Sequence, residues 1–188
     1  ETRLTGIGRG GPPGVIACED GRTLFVTHKG DVLRVELSSG AVTRMTRAEG
    51  SISDVRAAPD GRAITFVREH DLWAAIVERD AVRTVRLTTG GSETKRNGSL
   101  DWLYPEGLGA KTAAWWSPDA KRVAYLALDE TAVPRFPLVG WDEAHGSVRW
   151  LQYPQPGDPN PIPSVHVVGL DGASVLVTLG AFLADVPH

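Results

Sequence analysis

Asp20-Gly21, Leu24-Phe25-Val26 and Gly30-Asp31-Val32-Leu33 return forty residues later as Asp60-Gly61, Ile64-Thr65-Phe66-Val67 and His70-Asp71-Leu72-Trp73. A third copy starts at Ser117-Pro118-Asp119 and continues as Val123-Ala124-Tyr125-Leu126, after a longer interval. Each unit reads as short strands joined by tight turns. Asp-Gly marks a hairpin because glycine takes a positive φ without steric cost. Leu33, Val35 and Leu37 share one face of a strand, with Arg34 and Glu36 on the other. Trp115-Trp116 and Val123 to Leu126 are apolar on both faces, so they require cover above and below. Stacked blades provide that cover. A beat of about 40–45 residues with four strands per unit is the signature of a propeller. A β-sandwich also has short strands and frequent turns, but it does not explain the constant interval. Helical periodicity is nearly absent, and no helix is expected.

The expected fold is therefore all-β: a partial β-propeller of about three to four blades of four-stranded antiparallel sheet, forming an open arc. The 188 residues are read as one incomplete propeller domain, 1–188, with insertions near 91–112 and 129–163. The second insertion ends in a run from Tyr153 to Pro163 that carries five prolines. Proline cannot donate to a ladder, so an extended surface excursion is expected there. Propellers usually close with four to eight blades, so this arc has two unpaired edges that invite homo-oligomerisation or a missing remainder.

Composition limits the partners. Hydrophobic residues make up 41% and charged residues 23%, which suits a soluble globular protein. A net charge of −3, with no basic run, excludes a nucleic-acid footprint. No stretch is long and apolar enough for a membrane span. Cys18, as the single cysteine, excludes an internal disulfide and is read as a small buried hydrophobe. The compartment stays open between cytoplasm, periplasm and secretion, with reducing cytoplasm favoured. The five histidines do not fall at metal-ligand spacing, so neither a metal nor any other cofactor is expected. His70, beside Asp71, reads as a hydrogen-bonded turn residue. Gly6 to Gly11 follows no strand and leads into Pro12-Pro13, so it is a leader rather than a phosphate loop. Asn97-Gly98-Ser99 matches a glycosylation sequon by chance. Gly172-Ala173-Ser174-Val175-Leu176 lacks the second glycine of a nucleophile elbow, so no catalytic residue is assigned.

One segment is specific. Asp101-Trp102-Leu103-Tyr104-Pro105-Glu106 precedes Trp115-Trp116-Ser117-Pro118-Asp119, then Leu128-Asp129-Glu130-Thr131 and Val133-Pro134-Arg135-Phe136-Pro137. This run resembles the N-terminal β-propeller region of the dipeptidyl peptidase IV family of serine peptidases. The resemblance is specific over 98–172 and diffuse over 1–90. It implies eight blades in the complete propeller and a Ser-Asp-His triad in a C-terminal α/β-hydrolase domain that this chain lacks. It also implies two consecutive glutamates after Asp-Trp-x-Tyr, whose carboxylates hold the α-amino group of the substrate peptide through charge-assisted hydrogen bonds. Here Glu106 stands for the first, while Gly107 replaces the second. Glu106 is the candidate contact for a peptide N-terminus. Asp101, Trp102 and Tyr104 complete the substrate-binding segment, with Trp102 and Tyr104 read as packing residues and Asp101 as a turn cap. The resulting expectation is a noncatalytic propeller portion of a peptidase that releases N-terminal dipeptides. The alternative is a stand-alone propeller-type binding module without peptidase activity.

Overall fold

The computed structural model describes residues 14–47, 50–79, 81–140 and 146–177. The leader read at Gly6 to Gly11, together with His145 and His188, lies outside the described residues. Three sheets follow one another along the chain. The first runs β1 (Val15–Ala17), β2 (Thr23–His28), β3 (Asp31–Glu36) and β4 (Val42–Arg44), each antiparallel to the next. The second repeats that order with β5 (Ser53–Ala57), β6 (Ala63–Arg68), β7 (Asp71–Glu78) and β8 (Ala81–Arg86).

The third sheet is interrupted. After β9 (Lys95–Asn97), α1 (Leu103–Leu108), β10 (Ala114–Trp116) and β11 (Arg122–Asp129), the chain leaves the sheet as a separate hairpin. That hairpin is β12 (Arg135–Gly140) with β13 (Ser147–Gln152). The chain returns as β14 (Ile162–Gly169) and β15 (Ser174–Leu176), and the sheet order is β10-β11-β14-β15. β9 and β10 share one edge of β11, and residues between them loop out carrying α1. The architecture is all-β, and among the described residues no sheet is closed: two four-stranded antiparallel sheets and a third of five strands follow one another in an open arc, as the forty-residue interval predicts.

The sheets stack face to face, and the strand alternation explains the two cores. Cys18, Phe25, Val32 and Met45 of the first sheet meet Ile64, Phe66 and Ala75 of the second. The other face of the second sheet, through Val67, Leu72, Ala74 and Leu87, meets Ala114, Val123, Tyr125 and Val168 of the third. β6 is buried throughout from Ala63 to Val67 because it is covered on both faces. Each large side chain removed from water here contributes about 1.5–3 kcal/mol.

Faces that no second sheet covers stay open. Leu33, Val35 and Leu37 do share a face, but it points away from the second sheet, and Leu37 is 53% exposed. Val32 and Arg34 are the residues directed at that neighbour. Trp116 turns to the second sheet and donates from Nε1 to the Arg56 carbonyl at 3.3 Å, whereas Trp115 is 45% exposed.

Two sequence expectations need correction, and one hairpin is new. A helix exists: α1 has six residues, too few to leave a 3.6-residue pattern. Ahead of the proline run the second insertion also forms a hairpin that was not expected, because β12 and β13 make a six-pair ladder that includes Pro137 opposite Trp150. A two-stranded hairpin has only edge strands, where proline is tolerated. Pro163 also lies within β14, opposite Leu128, at a position β15 does not reach.

Gly21 and Gly61 sit at φ 66° and 67°, each donating its N–H back three residues, to Cys18 and Ala58. In the third copy, Ala120 occupies the same place at φ 55°, donating to the Ser117 carbonyl. An alanine there bears a left-handed backbone cost of about 1–2 kcal/mol that glycine avoids. Ala120→Gly is therefore expected to raise stability by about 0.5–1 kcal/mol in urea unfolding, after the entropy cost of glycine. A loss of stability would show that this turn is not strained.

Candidate functional site

The segment from Asp101 to Gly109 is fixed at its start by a buried carboxylate. Asp101, almost fully buried, accepts the Tyr104 backbone N–H at 2.9 Å through Oδ1. That bond satisfies one of the donors left free at a helix start, and it confirms the turn-capping geometry expected of Asp101. Trp102 stacks on Tyr153 with ring centroids 4.3 Å apart and planes 8° from parallel. Phe136 tilts against Tyr153 at 5.6 Å. The long connection between β11 and β14 thus reaches back and clamps the start of α1. Tyr104 packs on Ala113, Leu126 and Leu128, on the face of the third sheet turned away from the second. Burial and the nearby Asp101 carboxylate push the Tyr104 hydroxyl up from its ordinary pKa. Both aromatic residues therefore set the orientation of the segment, as read from the sequence.

Glu106 lies in the first turn of α1 and is exposed. Its N–H reaches the Trp102 carbonyl at 3.4 Å. Gly107 follows in helical conformation, and a Cβ built there would lie 3.4 Å from Leu103 Cδ1. The helix ends at Gly109, φ 65°, with N–H bonds from Gly109 to the Pro105 carbonyl and from Ala110 to the Tyr104 carbonyl. Arg56, on β5, then donates from Nε to Thr112 Oγ1 and from Nη2 to the Lys111 carbonyl, both at 2.7 Å. Chemically, the site offers one solvent-facing carboxylate on a short helix anchored at both ends.

Beneath the same connections lie acidic groups that composition alone did not single out. Glu130 is 1% exposed and pairs with Arg96 Nε at 2.6 Å. Asp71 is fully buried and accepts from Arg86, Thr88, Asn97 and the Gly91 N–H. Asp31 repeats half of this arrangement, taking Arg44 and Thr46. A second recurrence, Arg44-Met45-Thr46 against Arg86-Leu87-Thr88, is the sequence signal that marks these pairs. Asn97 is a structural ligand of Asp71 through Nδ2, which accounts for its presence in the sequon-like triplet. His70 sits in a turn at φ 65°, and its carbonyl accepts the Asn97 N–H. Cys18 is buried, and its Sγ donates to the Ala58 carbonyl; burial, then Asp20 and Asp60, push the thiol up to about 11. Among the described residues, no three His, Cys, Asp or Glu side chains gather as a metal cluster, and no helix is long and apolar enough to cross a membrane.

Comparison with known proteins converges on one family. Residues 22–186 match the family described as "Dipeptidyl peptidase IV (DPP IV) N-terminal region". A "Probable dipeptidyl-aminopeptidase B" from Talaromyces marneffei is 31% identical over 152 residues, covering 73% of this chain and 17% of its own length. A protein of the same name from Neosartorya fischeri is 30% identical over 158 residues, 77% of this chain and 17% of its own length. The crystal structure of Porphyromonas gingivalis dipeptidyl peptidase 4 superposes with a TM-score of 0.75 at 23% identity, over 88% of this chain and 25% of that one. The chain thus spans about a sixth of the length of the relatives it matches.

Proposed function

Because this chain belongs to the dipeptidyl peptidase IV N-terminal region family, we propose that it forms the noncatalytic propeller portion of a larger serine peptidase that releases dipeptides from peptide N-termini. The residues 1–188 are one part of that propeller domain, and a C-terminal α/β-hydrolase domain supplies the Ser-Asp-His triad. Further blades of the same protein cover the open faces at Trp115 and at Val175, which is 68% exposed.

Within that frame, Glu106 receives the α-amino group of the substrate. The observation that carries this role is the anchoring of α1: the Asp101 cap and the Trp102–Tyr153 stack hold an exposed carboxylate on a fixed backbone. A backbone already fixed beneath the carboxylate spares the cost of ordering the segment when an ammonium docks, so more of the ion-pair energy appears as affinity. Gly107 leaves the site with one carboxylate where the family pattern has two.

The test is titration of the full-length protein with a free-amine dipeptide and with its N-acetylated counterpart. Glu106→Gln is expected to weaken the free-amine ligand at least tenfold, about 1.4 kcal/mol, and to leave the acetylated one unchanged. Gly107→Glu is expected to tighten the free-amine ligand, since a Cβ added there meets only Leu103 Cδ1, at 3.4 Å. Equal affinity of Glu106→Gln and the parent for the free amine would remove this role, leaving a binding module without amine recognition as the reading.

A further inference from the structure

One side chain ties the exit of α1 to β5, an edge strand of the neighbouring sheet. The Arg56 guanidinium donates in two directions across the seam, to Thr112 Oγ1 and to the Lys111 carbonyl, and in a third to the Val55 carbonyl of its own strand at 3.2 Å. Thr112 Oγ1 donates to the Ala114 carbonyl at 3.0 Å, and the Arg56 carbonyl accepts the Trp116 indole. Among the described residues Arg56 has no carboxylate partner, so its charge serves to hold uncharged acceptors in a connection. The backbone beneath it is irregular. The β5 register against β6 shifts between Ser53 and Arg56, with Asp54 at φ 52°. Such bulges redirect the side chains next to them, and a left-handed non-glycine residue persists only where its surroundings hold it.

The connection it grips is short. Lys111 lies five residues beyond Glu106, and the bonds from Gly109 and Ala110 lock the intervening turn to the helix. The Asp101 cap and the Trp102 stack fix the start of α1 relative to the third sheet. Arg56 alone, among the described contacts, fixes its end relative to the second.

We propose that Arg56 is a positioning residue for the substrate amine: its guanidinium sets where α1 lies against β5 and thereby places the Glu106 carboxylate. This inference rests on the amine-binding role of Glu106. A planar fork with donors at fixed spacing suits two acceptors on successive residues, which a lysine ammonium cannot match.

The experiment compares Arg56→Gln, Arg56→Lys and Glu106→Gln in the full-length protein, with the free-amine dipeptide, its N-acetylated counterpart and backbone hydrogen exchange as readouts. Arg56→Gln is expected to weaken the free-amine ligand about tenfold, to leave the acetylated ligand unchanged, and to speed exchange at Glu106 to Ala110. Arg56→Lys is expected to recover part of that loss. Thr112→Val, which removes one acceptor and keeps the cation, gives a smaller loss in the same direction and serves if Arg56→Gln does not fold. If Glu106→Gln weakens the amine while neither Arg56→Gln nor Thr112→Val does, the positioning role is overturned and the amine site stands. If Glu106→Gln has no effect, both fall, and altered exchange alone then marks Arg56 as a seam residue without a part in binding. Equal losses for the free and acetylated ligands in Arg56→Gln also overturn the proposal.

Discussion

Asp71→Ala is expected to destabilise the chain by about 3–5 kcal/mol, read as a lower urea midpoint at unchanged slope. The carboxylate is fully buried. It accepts from Thr88 Oγ1 at 2.7 Å, Asn97 Nδ2 at 2.9 Å and the Gly91 N–H at 3.2 Å, besides its ion pair with Arg86. Deleting it strands donors from three places in the chain. Arg86 is 42% exposed and can turn to water, so most of the cost falls on Thr88, Asn97 and Gly91. Asp31 provides an internal control. It repeats the arrangement with Arg44 and Thr46 but, among the described residues, has no counterpart of Asn97 or Gly91, so Asp31→Ala should cost about half as much. Equal costs would mean that the extra donors add nothing.

The same site sets an acid limb. Burial pushes the Asp71 carboxyl up, but the hydrogen bonds from Arg86, Thr88, Asn97 and Gly91 outweigh it and hold the pKa below the usual carboxylate range. A carboxyl with a depressed pKa in the folded state contributes its full stabilisation above the unfolded value of about 3.9, and loses it as pH falls below that toward the folded value. The parent should therefore lose more stability than Asp71→Ala as pH is lowered below about 4. A parallel pH dependence in the two would overturn this assignment.

The turns and strand units were legible because they depend on neighbours in sequence. Asp20-Gly21 and Asp60-Gly61 announce a positive φ, and the glycines adopt it. The forty-residue interval carried the stacking of the first two sheets for a deeper reason. The repeated Asp31 and Asp71 open the third strand of each sheet and bind a threonine two residues past the end of the fourth. The motif around Asp101 was legible in the same local way, since its cap spans three residues. What stayed hidden depends on distant partners. The stack of Trp102 on Tyr153 and the grip of Arg56 on Lys111 each join residues about fifty apart, with no period to reveal them. α1 was missed because Pro105 and Gly107, within six residues, are poor helix formers; contacts of Tyr104 with the third sheet hold it instead. The β12–β13 hairpin was masked by Pro137, whose missing donor costs nothing on an edge.

Gly61→Ala should cost about 3 kcal/mol, against about 1 kcal/mol for Gly21→Ala, although both glycines have nearly the same φ. The difference isolates a contact between sheets. A Cβ at Gly21 meets nothing within 4 Å, so only the left-handed backbone cost applies. A Cβ at Gly61 would lie 2.4 Å from Asp20 Oδ2 and 2.6 Å from Thr23 Oγ1, both in the first sheet unit. Neither group can move freely. Asp20 already accepts the N–H groups of Arg22 and Thr23 and the Thr23 hydroxyl, and Thr23 is buried. Arg34, from the same unit, donates to the Gly61 carbonyl at 2.6 Å and prevents the turn from backing away. The added methyl must therefore part the first two sheets or break this cluster, and parting them also loosens the Phe25–Phe66 core. Urea unfolding of the two variants side by side decides the matter. Equal losses would show that the seam yields to a methyl group, and that the second Asp-Gly is a turn signal only.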